Sequence, residues 1–219
     1  MDAAGSSSLA DAAYRQIEEM IVIRRLPPGA MISEARLAEE IGCGRTPIRE
    51  ALLRLKYEGY IEVFPSRGAM VSNIDVHKQL ELLEVRRPLD DVVARLAAER
   101  ATPAERAEMR RLGEAIQQSA RDRDDLAYLA ANRAIHEIKV KATHNSMFIS
   151  TLARVNGLSR RFWYTYVVST DAFTTAALLH SQTLSAIADR DPSAAAAATA
   201  KLLDLLEGLT RQAIEPAAK

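Results

Sequence analysis

The stretch LAEEIGCGRTPIREALLRLKYEGYIEVFPSRGAMV, residues 37–71, decides the fold of the N-terminal part of the chain. Leu37, Ala38 and Ile41 fall on one helical face, Ser33 precedes them as an N-cap, and Gly42 ends the helix, so a short helix leads into the tight turn Gly42-Cys43-Gly44. Thr46 as N-cap with Pro47 at the first helical position predicts a second helix, whose buried stripe is Ile48, Ala51, Leu52 and Leu55 and whose stop is Gly59. Residues 60–64 (YIEVF) and 69–71 (AMV) are strand-like runs, and Pro65-Ser66-Arg67-Gly68 between them predicts a hairpin. Upstream, Leu9, Ala13, Ile17, Met20 and Ile21 recur at helical spacing until Leu26-Pro27-Pro28-Gly29, where Pro and Gly cannot continue a helix. Three helices followed by a hairpin make a winged helix-turn-helix.

Beyond Asn73 the strand pattern disappears. Helical stretches are expected at roughly 75–100, 103–121, 124–143, 146–168, 174–190 and 192–214. Thr102-Pro103-Ala104-Glu105 has the form of a capping box, and Asp191-Pro192 marks another helix start. Pro88 should kink or split the first of these helices, which leaves the count at six or seven. The reading is therefore mostly α: a disordered tail at 1–8, a winged helix-turn-helix at 9–74, an all-α helical bundle at 75–214, and a C-terminal tail at 215–219.

With 219 residues, 48% of them apolar and 26% charged, the chain suits two ordinary domains and is no candidate for disorder. The single cysteine, Cys43, excludes an internal disulfide and a four-cysteine metal cage, and points to a reducing compartment. The N-terminus has no basic n-region or apolar h-region, and no run of about 18 apolar residues occurs anywhere, so the expectation is a cytoplasmic protein that does not enter a membrane. Basic and acidic residues balance at 29 each. Global charge thus gives no support for nucleic-acid binding, and that case rests on placement.

Placement favours it. A recognition helix enters the major groove N-terminus first, offering backbone N–H groups and the positive dipole end to phosphate while arginines reach base edges. Arg45 and Arg49 lie at that end of the second helix of the motif, and an arginine bonded to guanine O6 and N7 together gives about 1–3 kcal/mol of base discrimination. Thr46 can add a phosphate or base contact, Arg36 can hold the DNA backbone, and Arg67-Gly68 at the hairpin tip would be a wing in the adjacent groove. Taken singly, a surface arginine on a short helix is usually just a solvated charge, and Gly68 is an ordinary turn glycine. Their co-occurrence in one ordered unit points to double-stranded DNA as partner.

Residues 37–71 resemble the DNA-binding domain of GntR-family regulators, through the R-T-P-x-R-E-A-L core and the trailing E-G, R-G and V. The resemblance implies that Arg36, Arg45, Thr46, Arg49 and Gly68 contact operator DNA. Cys43-Gly44 replaces a common Val-Ser, which removes one hydroxyl and makes the turn more pliable.

Residues 75–214 are similar to the FCD effector domain of the FadR-like subfamily, through residues 82–90 (LLEVRRPLD), 132–136 (NRAIH) and the segment from His180 to Asp191. In many such domains an Asp and three His hold a divalent metal, such as Zn, Ni or Mn, that helps bind a carboxylate effector. The resemblance places Asn132, His136 and His180 as metal ligands and effector-binding residues here. Asn132 and His136, four apart, share a helix face. Two departures stand out: Asn132 replaces the usual Asp, and Leu202 occupies the expected position of a third His, leaving an incomplete ligand set. The alternative is that His136 and His180 are pocket-lining histidines bonded to polar neighbours or to the effector itself. Arg86 matches an arginine that would bind a carboxylate bidentately; its alternative is a salt bridge to Glu81, Glu84 or Asp90. Trp163, Tyr164 and Tyr166 line a pocket or are plain core, while His77 and His144 read as surface residues.

The expected function is a ligand-responsive transcriptional regulator, a repressor by the resemblance, that binds a pseudo-palindromic operator as a homodimer and senses a small organic acid. An enzyme using His136, His180 and Asn132 around a metal to activate water lacks a general base at a recognisable spacing, so no catalytic residue is assigned.

Overall fold

The computed structural model describes the backbone of residues 3–64, 68–166 and 172–214, and the side chains of residues 9–64, 68–152, 155–165 and 172–214. It divides into two compact units: the first takes the chain up to Asp75 together with Gly157–Thr165, and the second takes Val76–Asn156 and the chain from Tyr166 onward.

The first unit runs α1 (Ala3–Val22), β1 (Met31–Ile32), α2 (Glu34–Ile41), α3 (Arg45–Tyr57), β2 (Ile61–Phe64) and β3 (Gly68–Val71). Backbone at residues 3–8, expected as a disordered tail, continues α1, which Ala3 and Ala4 favour as helix formers. The helix stops at Val22, short of the prolines: Arg24 turns left-handed (φ 61°) and the Leu26 N–H bonds the Met20 carbonyl at 2.9 Å. Leu9, placed on the apolar face by spacing, is 53% exposed. The predicted hairpin forms with Phe64 opposite Gly68 and Ile61 opposite Val71. A third strand joins it, since β1 pairs with β3 to give the order β1-β3-β2. At two residues, β1 is too short to show an alternating pattern.

Ala13, Ile17 and Ile21 of α1, Leu37 of α2, and Ile48, Ala51 and Leu55 of α3 fill the core of this unit. Two carboxylates are buried with them. Tyr14 Oη donates to Glu58 at 2.6 Å, and Arg54 bonds Glu58 at 3.0 Å while stacking 3.7 Å over the Tyr14 ring. Tyr60 Oη donates to Glu18 at 2.5 Å, and Arg160 forms an ion pair with Glu18. Burial pushes the Tyr60 hydroxyl well above the usual phenol range, so it stays protonated as a donor. Residues 157–165 contribute Arg160 and also Arg161, whose guanidinium donates to Ser72 Oγ at 3.0 Å and to the Ser72 carbonyl at 2.6 Å. Trp163 is buried in the same segment and belongs to this unit; the Tyr166 side chain lies outside the described residues.

In the second unit the helices are α4 (Val76–Arg100), α5 (Pro103–Asp122), α6 (Asp125–Lys141), the first part of α7 (Ser146–Tyr166), α8 (Ala172–Ala188) and α9 (Pro192–Ile214). Pro88 does not split α4, so the described residues form six helices after the winged motif. Thr102 and Glu105 make the reciprocal capping box with Pro103 at N1, and the Asp191 side chain accepts from the Ala194 N–H at 2.9 Å, which fixes the starts of α5 and α9. Helix α4 packs on α6, α8 and α9, and α5 packs on α6 and α8. Met109, Ile116, Ile135, Leu184, Ile187 and Leu203 form the main core, and Val93, Val140, Leu152 and Val155 a second cluster where α4, α6 and α7 meet.

Two glycines yield opposite expectations. A Cβ at Gly157 would lie 2.8 Å from two ring carbons of Tyr60, which its bond to Glu18 holds in place, whereas a Cβ at Gly208 in α9 meets nothing within 4 Å. Gly157→Ala should therefore destabilise by about 1–3 kcal/mol through overpacking, and Gly208→Ala should stabilise by about 0.5–1 kcal/mol through backbone entropy. Thermal unfolding of the two variants checks the signs; a higher Tm for Gly157→Ala would refute the close approach.

Candidate functional site

The outward side of the first unit is set by the start of α3. This helix begins at Arg45 with Gly44 as its N-cap (φ −69°, ψ 165°) and no side-chain cap bond, so the expected N-cap, Thr46, instead stands in the first turn with Pro47 beside it. Pro47 fits there because amides in a first turn have no helical acceptor in any case. Gly44 in place of a hydroxyl residue leaves the N-terminal amides without a side-chain acceptor. Arg36, Arg45, Thr46 and Arg49 are all exposed. Arg49 is held by Glu34 of α2 at 2.7 Å, an exposed pair worth only about 0–1 kcal/mol and so readily exchanged for phosphate or a base. Gly68 opens β3 at φ 86°, in the left-handed region that favours glycine. Arg67 lies outside the described residues.

The second unit carries a buried polar cluster on α4, α6 and α8. Asn132 Nδ2 lies 3.0 Å from His180 Nε2, and the His136 and His180 rings meet edge-on with centroids 5.6 Å apart. Three of the sequence-predicted residues thus come together. Arg86 is 2% exposed and takes Asp90, one turn along α4, through Nε at 3.1 Å and Nη2 at 2.9 Å, which is the salt-bridge alternative.

Sequence reading passed over Lys139. It follows Asn132 and His136 by seven and three residues, hence on one face of α6, and it is 2% exposed. Among the described residues no direct hydrogen bond or ion pair reaches its ammonium, whose counter-charge is the field of Asp90. Burial lowers the Lys139 pKa, with Arg86 adding to the effect and Asp90 opposing it. Burial followed by the fields of Lys139 and Arg86 lowers His180 to about 3, and the same causes hold His136 well below the usual imidazole range. Both histidines are neutral near pH 7. With the Asn132 amide nitrogen donating to Nε2, the His180 proton sits on Nδ1, which is buried and has no partner among the described residues.

This donor set does not fit a dication. It offers two imidazoles and a neutral amide, Leu202 is buried in place of a third His, and Arg86 and Lys139 stand beside it with one carboxylate between them. Among the described residues no three His, Cys, Asp or Glu side chains gather where they could hold a metal ion. The arrangement can instead present N–H donors and positive charge to an anion. The described residues also contain no helix long and apolar enough to cross a membrane.

Comparison with known proteins agrees with both halves of this description. Residues 9–71 match the model described as bacterial regulatory proteins, gntR family, and residues 81–205 match the FCD domain. A Streptomyces ambofaciens protein named as an uncharacterized HTH-type transcriptional regulator in an unstable DNA locus is 30% identical over 149 residues, which cover 66% of this chain and 60% of that protein. The match thus spans less than two thirds of that relative. A Paenarthrobacter nicotinovorans protein named as a probable D-xylose utilization operon transcriptional repressor is 28% identical over 153 residues, 68% of this chain and 67% of that protein. The solved structure of E. coli McbR/YncC shares the fold, with a TM-score of 0.79 at 22% identity, covering 94% of this chain and 99% of that one. With a gntR-type DNA-binding motif ahead of an FCD match that takes in more than half of its residues, the chain belongs to the GntR family of bacterial transcriptional regulators and carries an FCD effector-binding domain.

Proposed function

We infer that this regulator is a repressor that binds a short pseudo-palindromic operator as a homodimer, and that a small carboxylate-bearing metabolite seated at the buried cluster of α4, α6 and α8 controls its affinity for DNA. The observation that carries the effector reading is the surplus of buried donors and positive charge around Asn132, His180 and Lys139. An unsatisfied buried donor costs about 1–3 kcal/mol, which a carboxylate oxygen would recover on binding.

In the reader, Arg45, Thr46 and Arg49 face the major groove, Arg36 holds the backbone, and Arg67 with Gly68 forms the wing. A two-fold dimer places two such helices on half-sites one helical turn apart, hence the palindrome. Repression is favoured by the name of the Paenarthrobacter relative. Effector binding shifts the relative placement of the two readers to the extent that it binds one arrangement more tightly than the other. No catalysis is assigned to the cluster, whose histidines are too weakly basic to accept a proton near pH 7. The protein acts in the cytoplasm, where its operator is.

Selection of bound duplexes from a random DNA library at about 150 mM salt, where counterion release alone gives little affinity, tests the reader. A two-fold-symmetric motif should emerge, and Arg49→Ala should weaken binding to it by about ten-fold or more, the size of one lost base or phosphate contact. Equal affinity of wild type and variant for the selected duplex would sink the assignment of α3.

The histidines give a second check. His180 titrates near 6.5 when unfolded and about 3 when folded, so the unfolded state binds more protons between these values and stability must rise with pH across that window. Lowering the pH from about 7 to about 5 should lower the Tm, and His180→Asn should flatten that slope. An unchanged slope in the variant would mean that His180 is not held neutral by its surroundings.

A further inference from the structure

Arg86 and Asp90 cancel as a bonded pair, both ends of which are buried. What is left is Lys139, a buried lysine with Asp90 already engaged by Arg86 through two bonds to the same oxygen, Oδ2. A second feature points the same way: among the described residues the buried Nδ1 of His180 has no partner. An ammonium with no direct partner and an imidazole N–H with no acceptor among the described residues both call for an anionic oxygen.

We propose that Lys139 is the anion-binding residue of the effector site, so that one carboxylate of the effector sits directly on its ammonium and no metal ion stands between protein and ligand. The proposal rests on the carboxylate reading above and goes beyond it by naming the group that supplies the positive charge. In FCD-like domains with a complete ligand set that charge comes from a metal held by an Asp and three His. Here Asn132 carries no negative charge, Leu202 offers no imidazole, and the buried Lys139 sets a positive field at both histidines. Asn132 and His180 then act as neutral donors that orient the carboxylate, while Arg86 keeps Asp90 from competing for Lys139. A buried lysine held for ligand binding also leaves a signature in the free protein. Its burial opposes its charge, so an apolar side chain of similar length should suit the buried position better than the lysine does when no anion is bound.

The test uses full-length protein stripped of metal with EDTA, wild type and Lys139→Met, with Lys139→Gln as a second variant. Thermal shift is read against a panel of mono- and dicarboxylates of two to ten carbons, and the strongest binder is titrated by calorimetry. The expected result has three parts: a carboxylate raises the Tm of EDTA-treated wild type, both variants lose at least ten-fold in affinity for it, and the unliganded Tm of Lys139→Met equals or exceeds that of wild type. Equal stabilisation of wild type and Lys139→Met by the same carboxylate overturns the proposal and leaves the carboxylate reading standing, with Lys139 reduced to a partner of Asp90. A fall in the unliganded Tm of Lys139→Met together with unchanged affinity says the same. Stabilisation that appears only with stoichiometric Zn²⁺, Ni²⁺ or Mn²⁺, and is reversed by EDTA, overturns it in favour of a metal. If no carboxylate stabilises the wild type with or without metal, the carboxylate reading itself fails and the proposal with it.

Discussion

Burying charge inside a helical bundle requires compensation, and the second unit is organised around that requirement. An ion taken out of water without a partner costs several kcal/mol, more than most single packing contacts return. Arg86 and Lys139 are each 2% exposed, Asp90 is 3% exposed, and all three share the space where α4 and α6 face one another. Asp90 satisfies Arg86 by direct bonds and Lys139 only through its field. The neutrality of both histidines follows from burial and from this uncompensated positive field, and so does the pairing of Asn132 with His180, neutral group to neutral group. The cluster is a set of buried donors with one carboxylate, Asp90, among them.

The first unit meets the same requirement for its two buried carboxylates. Glu18 and Glu58 each have a phenol and a guanidinium: Tyr60 and Arg160 for Glu18, Tyr14 and Arg54 for Glu58. Arg161 is buried as well and bonds Ser72, while its Nε has no partner among the described residues. These bonds tie α1 to α3, to Tyr60 at the start of the hairpin and to the 157–165 segment, which braces the platform beneath α3. A braced platform suits a reading head, because base readout depends on arginines carried by an element that does not shift as they bind. The groups left to bind something are on the outside, at the uncapped start of α3.

Much of this was legible in the sequence because the devices that start and stop elements are local. Ser33 and Gly42 around α2, the Thr102 and Glu105 box on α5, and Asp191 before Pro192 each act within four residues of themselves, and the structure uses them as read. Thr46 failed for a local reason too: Gly44 can adopt the N-cap conformation, so α3 gained its first turn one residue before Thr46. What could not be read was non-local. Strand β1 exists only because β3 offers it a ladder, and Gly157 to Thr165 joins the first unit through partners about a hundred residues away. Lys139 was half legible, since its spacing from Asn132 and His136 put it on the site face. A lysine at such a position reads as solvated until burial shows otherwise.

At the proposed effector site the sum of the charges, rather than the count of nitrogen donors, favours a lysine over a metal. Asn132, His136 and His180 do converge, and convergence alone resembles the remnant of a ligand cage. A dication placed among them would add to the field of Lys139 and Arg86, with Asp90 already committed and no carboxylate among the ligands to offset it. A carboxylate placed there removes the imbalance, gives the His180 Nδ1 proton an acceptor, and leaves Asn132 where it is. In the proposed site Asn132 and Lys139 therefore work together: a neutral amide at 132 makes a metal hard to hold, and the ammonium at 139 supplies the positive charge in its place.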